Sequence, residues 1–296
     1  MTHALEKRAN LADRRAVVVG GADGIGRAVT LALAEAGIDV AFCDINGEAV
    51  LSTYAEVTAL GRRALGEVAD ATVPEQLAAF YERVGAFFDG IEVVVNVVGG
   101  VLMQKLMDKS PESCAEDIQR NFGYVIESTR HAVPLLRRSQ SSACIINFTT
   151  IEAHRAAGGF AVYAGAKAAT TNFSKAMAWE LGPEGIRVNV IAPDTTDSPG
   201  NRKALPAEVL AMNADVPPEW WAKAFDMYIP LRMPPSADDL ANAVLFLASD
   251  LARAITGQVL HVDGGTGAAL GMMRWPDDGG ITLPVPAGNT MKKLFG

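Results

Sequence analysis

Short apolar runs rich in Val and Ile alternate along this chain with longer stretches whose apolar residues recur at helical spacing, and that alternation admits few folds. Strands are predicted at Ala16–Val19, Val40–Phe42, Val93–Val95, Cys144–Phe148, Arg187–Ile191 and Val259–Val262, with a weaker one near Ala64–Val68. Within each run the hydrophobicity is continuous, so both faces of the strand must be covered. That implies a parallel sheet between two helix layers. Right-handed crossovers then give an α/β architecture, a single doubly wound parallel sheet with helices on both faces. Helices are predicted at Pro111–Val133, Ala161–Leu181 and around Asp239–Ala248. The βαβ pattern covers residues 14–265, so one domain is expected across the chain. Between Asp194 and Pro235 it gives way to Pro, Met and Trp, including Pro217–Pro218 and Trp220–Trp221, which reads as a small inserted substrate lobe. Residues 266–296 lack periodicity and read as a C-terminal tail that could dock on a neighbouring subunit.

Composition narrows the partners. With 49% hydrophobic and 20% charged residues the chain can bury a full core, which excludes disorder. Lys and Arg number 26 against 34 Asp and Glu, a net charge of −8 that repels phosphate backbones, so no nucleic-acid partner is expected. Cys43, Cys114 and Cys144 stand far apart without a C-x-x-C pair, which fits a reducing, cytoplasmic setting. Met1–Leu11 carries Lys7 and Arg8 with no apolar run of signal-peptide length behind it. No stretch has the uncharged apolar length of a membrane span, so no membrane partner is expected. His3, His131, His154 and His261 lack metal-ligand spacing, and no metal site is proposed.

The first strand runs directly into Gly20-Gly21-Ala22-Asp23-Gly24-Ile25-Gly26, and Arg27–Ala36 then reads as a helix. Glycines at 20, 24 and 26 permit a tight turn and bring backbone N–H groups and the helix N-terminus against a pyrophosphate. The spacing differs from the common G-x-G-x-x-G, so by itself the turn is weak evidence. The second strand strengthens it by leading through Cys43 into Asp44, where a carboxylate can accept hydrogen bonds from ribose hydroxyls. A 2′-phosphate about 5 Å from Asp44 would be repelled by roughly 3 kcal/mol per unit charge at an effective dielectric near 20. A Rossmann-type sheet binding NAD in preference to NADP is therefore expected. Asp23 adds to that repulsion, caps the next helix, or does both.

Tyr163-Ala164-Gly165-Ala166-Lys167 forms Y-x-x-x-K within a helical stretch, and Thr150 precedes the tyrosine by thirteen residues, just past a strand. Together with the glycine turn this combination resembles the short-chain dehydrogenase/reductases from about Arg14 to Gly265. Residues four apart on a helix share a face, which sets the Lys167 ammonium near the Tyr163 phenol. One positive charge at about 5 Å, at an effective dielectric near 20, favours the phenolate by roughly 3 kcal/mol, or about two pKa units. Tyr163 is thus expected to act as general acid/base, tuned by Lys167. The resemblance implies that Lys167 also holds the nicotinamide ribose and that Asn121 anchors a relay water through its backbone. It implies too that Thr150, where the family usually has Ser, donates to the substrate oxygen, with Thr149 as the fallback. The implied cofactor contacts are Gly20, Asp23, Gly24, Ile25, Gly26, Asp44, Ile45, Asp70, Ala71, Asn96, Gly99, Tyr163, Lys167, Pro193, Thr196 and Ser198. Departures from the family pattern are Val19 for Thr, Val97 and Val98 for Asn-Ala, and Asp194 for the Gly after Pro193. Asp194 places a carboxylate near the nicotinamide.

The expected activity is NAD-dependent hydride transfer between nicotinamide and a secondary alcohol or ketone, with a small molecule as substrate. Trp220, Trp221, Met212, Phe225 and Met227 offer flat, adaptable apolar surface from the lobe, which points to a ring-shaped or otherwise hydrophobic hydroxyl compound. Val97-Val98-Gly99-Gly100 and the Trp-bearing lobe resemble the family branch that oxidises cis-dihydrodiol carboxylates, and Arg155 and Arg202 could pair with a substrate carboxylate. Two alternatives stay open: a keto-acyl or keto-steroid reductase of the same family, and a non-enzymatic NAD-binding interaction protein. Pro111–Val133 and Ala161–Leu181 could pair with copies of themselves, giving a dimer or homotetramer as in the family.

Overall fold

After a short helix α1 (Ala4–Ala9), strands and helices alternate: β1 (Arg15–Val19), α2 (Gly24–Glu35), β2 (Asp39–Asp44), α3 (Gly47–Ala59), β3 (Ala64–Val68), α4 (Pro74–Phe87) and β4 (Val93–Asn96). The second half continues with α5 (Pro111–Ile118), α6 (Tyr124–Leu136), β5 (Ala143–Phe148), α7 (Ala161–Leu181), β6 (Ile186–Pro193), α8 (Pro218–Tyr228), α9 (Ala237–Ala248) and β7 (Val259–Val262). This computed structural model describes residues 4–100, 103–139, 141–194, 196, 211, 217–269, 273–274 and 281–282. The strands form one parallel sheet in the order β3-β2-β1-β4-β5-β6-β7. Order reverses between β1 and β4, and ligand crevices of such sheets open outside the carboxyl ends of the strands at this point.

The continuous apolar runs divide residue by residue between two cores. Val17, Val19, Ala41, Cys43, Val94 and Ile145 face one way and pack with Leu77, Phe80, Tyr124 and Val125 of α4 and α6. Ala16, Val18, Val40, Phe42, Val95 and Ile146 face the other way and meet Val29 and Leu33 of α2 and Leu240 and Val244 of α9. Alternate side chains of an extended strand point to opposite faces, so only a strand covered on both sides needs an unbroken apolar sequence.

One predicted helix is two. Instead of running from Pro111 to Val133, the chain widens into a π turn over Gln119–Gly123 between α5 and α6. Asn121 sits there fully buried, and its carboxamide exchanges hydrogen bonds with Gly100, accepting from its N–H at 3.2 Å and donating to its carbonyl at 2.9 Å. Its backbone carbonyl accepts from the Thr170 hydroxyl at 2.9 Å. These bonds engage groups that an uninterrupted α-helix would arrange differently, and single π turns of this kind cluster at functional sites.

Beyond β7 the described residues form a helical turn, Thr266–Ala269, and a two-stranded antiparallel pair, Met273–Arg274 with Ile281–Thr282. Among the described residues no helix is long and apolar enough to cross a membrane, and no three His, Cys, Asp or Glu side chains group as a metal site.

Candidate active site

β1 ends in a turn that only glycine permits. Gly20 has φ +86°, and its N–H and that of Gly21 donate to the Cys43 carbonyl at 2.8 and 3.0 Å. A Cβ on Gly26 would lie 1.7 Å from the Gly20 carbonyl oxygen, and one on Gly20 would lie 2.6 Å from the Val98 side chain. The loop therefore packs backbone on backbone, with the N-terminus of α2 behind it. Asp23 caps α2, accepting from the Gly24 N–H at 2.7 Å. Asp44, the last residue of β2, accepts from the N–H of Ala22 and of Asn46, each at 3.2 Å, and so fastens the strand end to the loop. Ile45 beside it is 70% exposed, Ala71 is buried, and Asp70 accepts from the backbone and hydroxyl of Thr72. A side chain added at Gly99 would come within 2.9 Å of Lys167 Nζ. A cradle closed to side chains, with helix N–H groups behind it and carboxylates at its rim, fits a dinucleotide. Asn96 points inward instead: its amide donates to Asn147 at 2.8 Å and accepts from Ser128 at 2.6 Å.

The second half of the site gathers where β5 ends. Thr149 is held by its N–H to the Ile191 carbonyl at 2.8 Å, and Thr150 opens the turn Ile151–Ala153. Tyr163 occupies the first turn of α7, half-buried, where the Thr150 hydroxyl acts to lower its phenol. Thr150 also donates to the Glu152 carboxylate. One hydroxyl carries one hydrogen, and a carboxylate is the stronger acceptor. The Thr150 hydrogen is therefore engaged with Glu152.

Lys167 lies one turn further along α7, only 3% exposed, and its Nζ donates to the carbonyls of Phe148 at 3.1 Å and Val98 at 3.5 Å. Burial pushes its ammonium down to about 7. Burial also pushes the Tyr163 phenol up to about 12, with Thr150 acting downward and the charges of Glu152 and Asp194 upward. Desolvation is the largest influence at both groups, and at the tyrosine it acts against the lowering expected from its lysine.

A testable consequence concerns stability. Unfolded, Lys167 keeps its proton up to about 10.5; folded, it releases it above about 7. The folding penalty is therefore fully present below pH 7 and fades as the pH rises towards 10.5. Lys167→Met is expected to stabilise the fold by roughly 1–3 kcal/mol near neutrality, with the gain shrinking as the pH rises. Thermal melts at pH 6.5 and pH 9.5 check this, and an equal loss of stability at both would contradict it.

An outer ring of polar groups joins the catalytic turn to the lobe. Arg155 Nη2 donates to Glu152 at 2.9 Å and to the Tyr228 hydroxyl at 2.6 Å, and lies 3.7 Å from Asp194. The Asp194 carboxylate accepts from Tyr228 at 2.6 Å and from the Thr266 hydroxyl at 2.7 Å. Asp194, unusual for its position in the sequence, is the junction between the end of β6, helix α8 and the turn after β7. Burial and Asp194 push the Tyr228 phenol up to about 12. Glu152, Tyr228 and Thr266 escaped the sequence reading; the one available signal was a carboxylate two positions past Thr150. Pro193 ends β6, and Thr196 is buried with its hydroxyl 3.5 Å from the Asp194 carbonyl. On α8, Trp220 is 64% exposed and Trp221 is 39% exposed, the latter against Phe225. Ser198, Arg202 and Met212 lie outside the described residues.

The family described as enoyl-(acyl carrier protein) reductase matches residues 20–267. An uncharacterized oxidoreductase of Mycobacterium tuberculosis is 33% identical over 276 residues, 93% of this chain and 97% of that one. The 3-oxoacyl-(acyl-carrier-protein) reductase of Chlamydia trachomatis is 34% identical over 258 residues, 86% of this chain and 98% of its own. Among solved structures, carveol dehydrogenase from Mycobacterium avium in complex with NAD superposes with a TM-score of 0.80 at 26% identity, covering 86% of this chain and 98% of its own.

Proposed function

The chain belongs to the short-chain dehydrogenase/reductase family, and on that premise we propose that it interconverts a secondary alcohol and its ketone with NAD, using Tyr163 as general acid/base. The observation that carries this reading is the placement of Tyr163 and Lys167 one turn apart on α7, with Lys167 Nζ bonded to the end of β5 just before Thr150 and to the loop at Val98 against which Gly20 packs. Bound NAD would supply the hydride acceptor or donor. Gly20, Gly24, Ile25 and Gly26 would hold its pyrophosphate with Asp23 at the rim, and Asp44 the adenine-side ribose. Ile45, Asp70 and Ala71 would line the adenine, with Asn96 and Gly99 beneath the loop. Lys167 and Tyr163 would hold the nicotinamide ribose, and Pro193, Thr196 and Ser198 the carboxamide.

The substrate oxygen then meets Tyr163 and Thr150. In oxidation Tyr163 receives the hydroxyl proton; in reduction it returns one to the carbonyl oxygen, while Thr150 holds that oxygen in place. Asn121, locked to Gly100 at the π turn, fixes the loop over Lys167. A phenol held near 12 is protonated at neutral pH, so oxidation, which needs the phenolate, accelerates as the pH rises, while reduction does not.

Trp220, Trp221 and Phe225 on α8 support a ring-shaped or hydrophobic substrate, a cis-dihydrodiol being one such compound. Trp179 on α7 and Ile118 on α5, 86% and 47% exposed, support self-association into a dimer or tetramer. Similarity to a 3-oxoacyl reductase favours keto-acyl thioester reduction as a second reading. The test is NADH absorbance with ring alcohols and NAD, run beside keto-acyl thioesters with NADH and NADPH. Turnover of the alcohols is expected. NAD binding without turnover of any alcohol or ketone would overturn the enzymatic reading in favour of a non-catalytic NAD-binding role.

A further inference from the structure

We propose that Glu152 reads a second hydroxyl group on the substrate, on the carbon next to the one oxidised, so that the enzyme prefers vicinal diols and α-hydroxy ketones to simple alcohols and ketones. The proposal rests on the dehydrogenase reading and follows from counting hydrogens around Thr150. Tyr163 and Thr150 bring one hydroxyl hydrogen each, and Glu152, as a carboxylate, brings none. Within the protein the Thr150 hydrogen goes to Glu152. A ketone oxygen seated between Tyr163 and Thr150 draws on both hydrogens. Thr150 must then turn away from Glu152, leaving a carboxylate oxygen, on a side chain only 18% exposed, without that donor. Losing a charge-assisted hydrogen bond in such a place is costly. A simple ketone has no hydrogen with which to replace it. An α-hydroxy ketone has one, on the atom next to the reacting carbon.

Arg155 fixes Glu152 for this role. Its guanidinium donates to the other carboxylate oxygen at 2.9 Å and is itself seated against the Tyr228 hydroxyl at 2.6 Å. That pair holds Glu152 in place. It also changes the part that Arg155 can play: with Glu152 at 2.9 Å and Asp194 at 3.7 Å, the guanidinium already stands between two carboxylates. Among the described residues this cluster has surplus negative charge, which disfavours a substrate carboxylate there and favours a neutral polyhydroxyl group.

The test compares vicinal cyclohexanediol with cyclohexanol as substrates for the full chain with NAD. In parallel, quenching of NADH fluorescence gives the affinities of α-hydroxycyclohexanone and cyclohexanone for the NADH complex. The wild type is expected to favour the hydroxylated member of each pair by roughly ten- to a hundredfold. Glu152→Ala, and Glu152→Met, which keeps the side-chain length without an acceptor, should bring both ratios to within about threefold of unity. A purely structural Glu152 would slow both alcohols alike and leave the ratio unmoved, and that result overturns the proposal, as does equal preference in the wild type. If neither alcohol is oxidised the dehydrogenase reading fails, while the two ketone affinities still decide the role of Glu152. Binding of neither ketone overturns both.

Discussion

Tyr163→Phe will lower turnover by about a thousandfold or more in both directions while changing NAD affinity only a few-fold. The substitution removes the hydroxyl that, on the proposed reading, exchanges the proton with the substrate oxygen. Thr150, an aliphatic hydroxyl, can hold the substrate oxygen by a hydrogen bond but is too weak an acid to give up its proton, and Lys167 points to the carbonyls of Phe148 and Val98. The phenyl ring itself remains, and with it the edge contact to Phe160 at 6.3 Å between centroids, so the first turn of α7 keeps its packing. The glycine turn and Asp44, which the proposal gives the cofactor's pyrophosphate and adenine-side ribose, are untouched. Steady-state rates and NAD titration on the same preparation separate the two effects. Turnover within tenfold of the wild type would falsify the assignment of Tyr163 as the acid/base.

What could be read from the sequence depended on whether a signal was local. Parallel strands covered on both faces leave an unbroken apolar run, and β1, β4 and β5 were found for that reason. The glycine turn was legible because backbone packing at Gly20 and Gly26 tolerates no other residue. The helix interruption at Asn121 was not, because the apolar spacing of α5 and α6 continues across it and its cause, the bonds to Gly100 and Thr170, comes from distant parts of the chain. Nor was the desolvation at Tyr163 and Lys167. A spacing of four residues predicts proximity and therefore attraction, but desolvation depends on what covers the two groups, and the carbonyls over Lys167 come from β5 and the loop after β4. Asp194 stood out as an oddity in the sequence, yet its partners Tyr228 and Thr266 lie 34 and 72 residues away and no periodicity announces them.

Asp44→Ala is expected to shift the ratio of kcat/KM for NADP over NAD by about a hundredfold in favour of NADP. The wild-type carboxylate closes β2 and, on the proposed reading, faces the ribose hydroxyl that carries the extra phosphate in NADP. Like charges about 5 Å apart repel by roughly 3 kcal/mol at an effective dielectric near 20, which sets the size of the effect, and salt screening trims it. A rival explanation exists, since Asp44 also accepts from the Ala22 and Asn46 N–H groups and could be there only to shape the turn. Asp44→Asn separates the two, because the amide keeps an acceptor oxygen for the turn and loses the charge. If charge selects the cofactor, Asn shifts the ratio nearly as far as Ala while melting closer to the wild type. If the residue only shapes the turn, Asn behaves like the wild type towards both cofactors, and Ala weakens NAD and NADP together; that pattern removes the electrostatic basis for NAD preference.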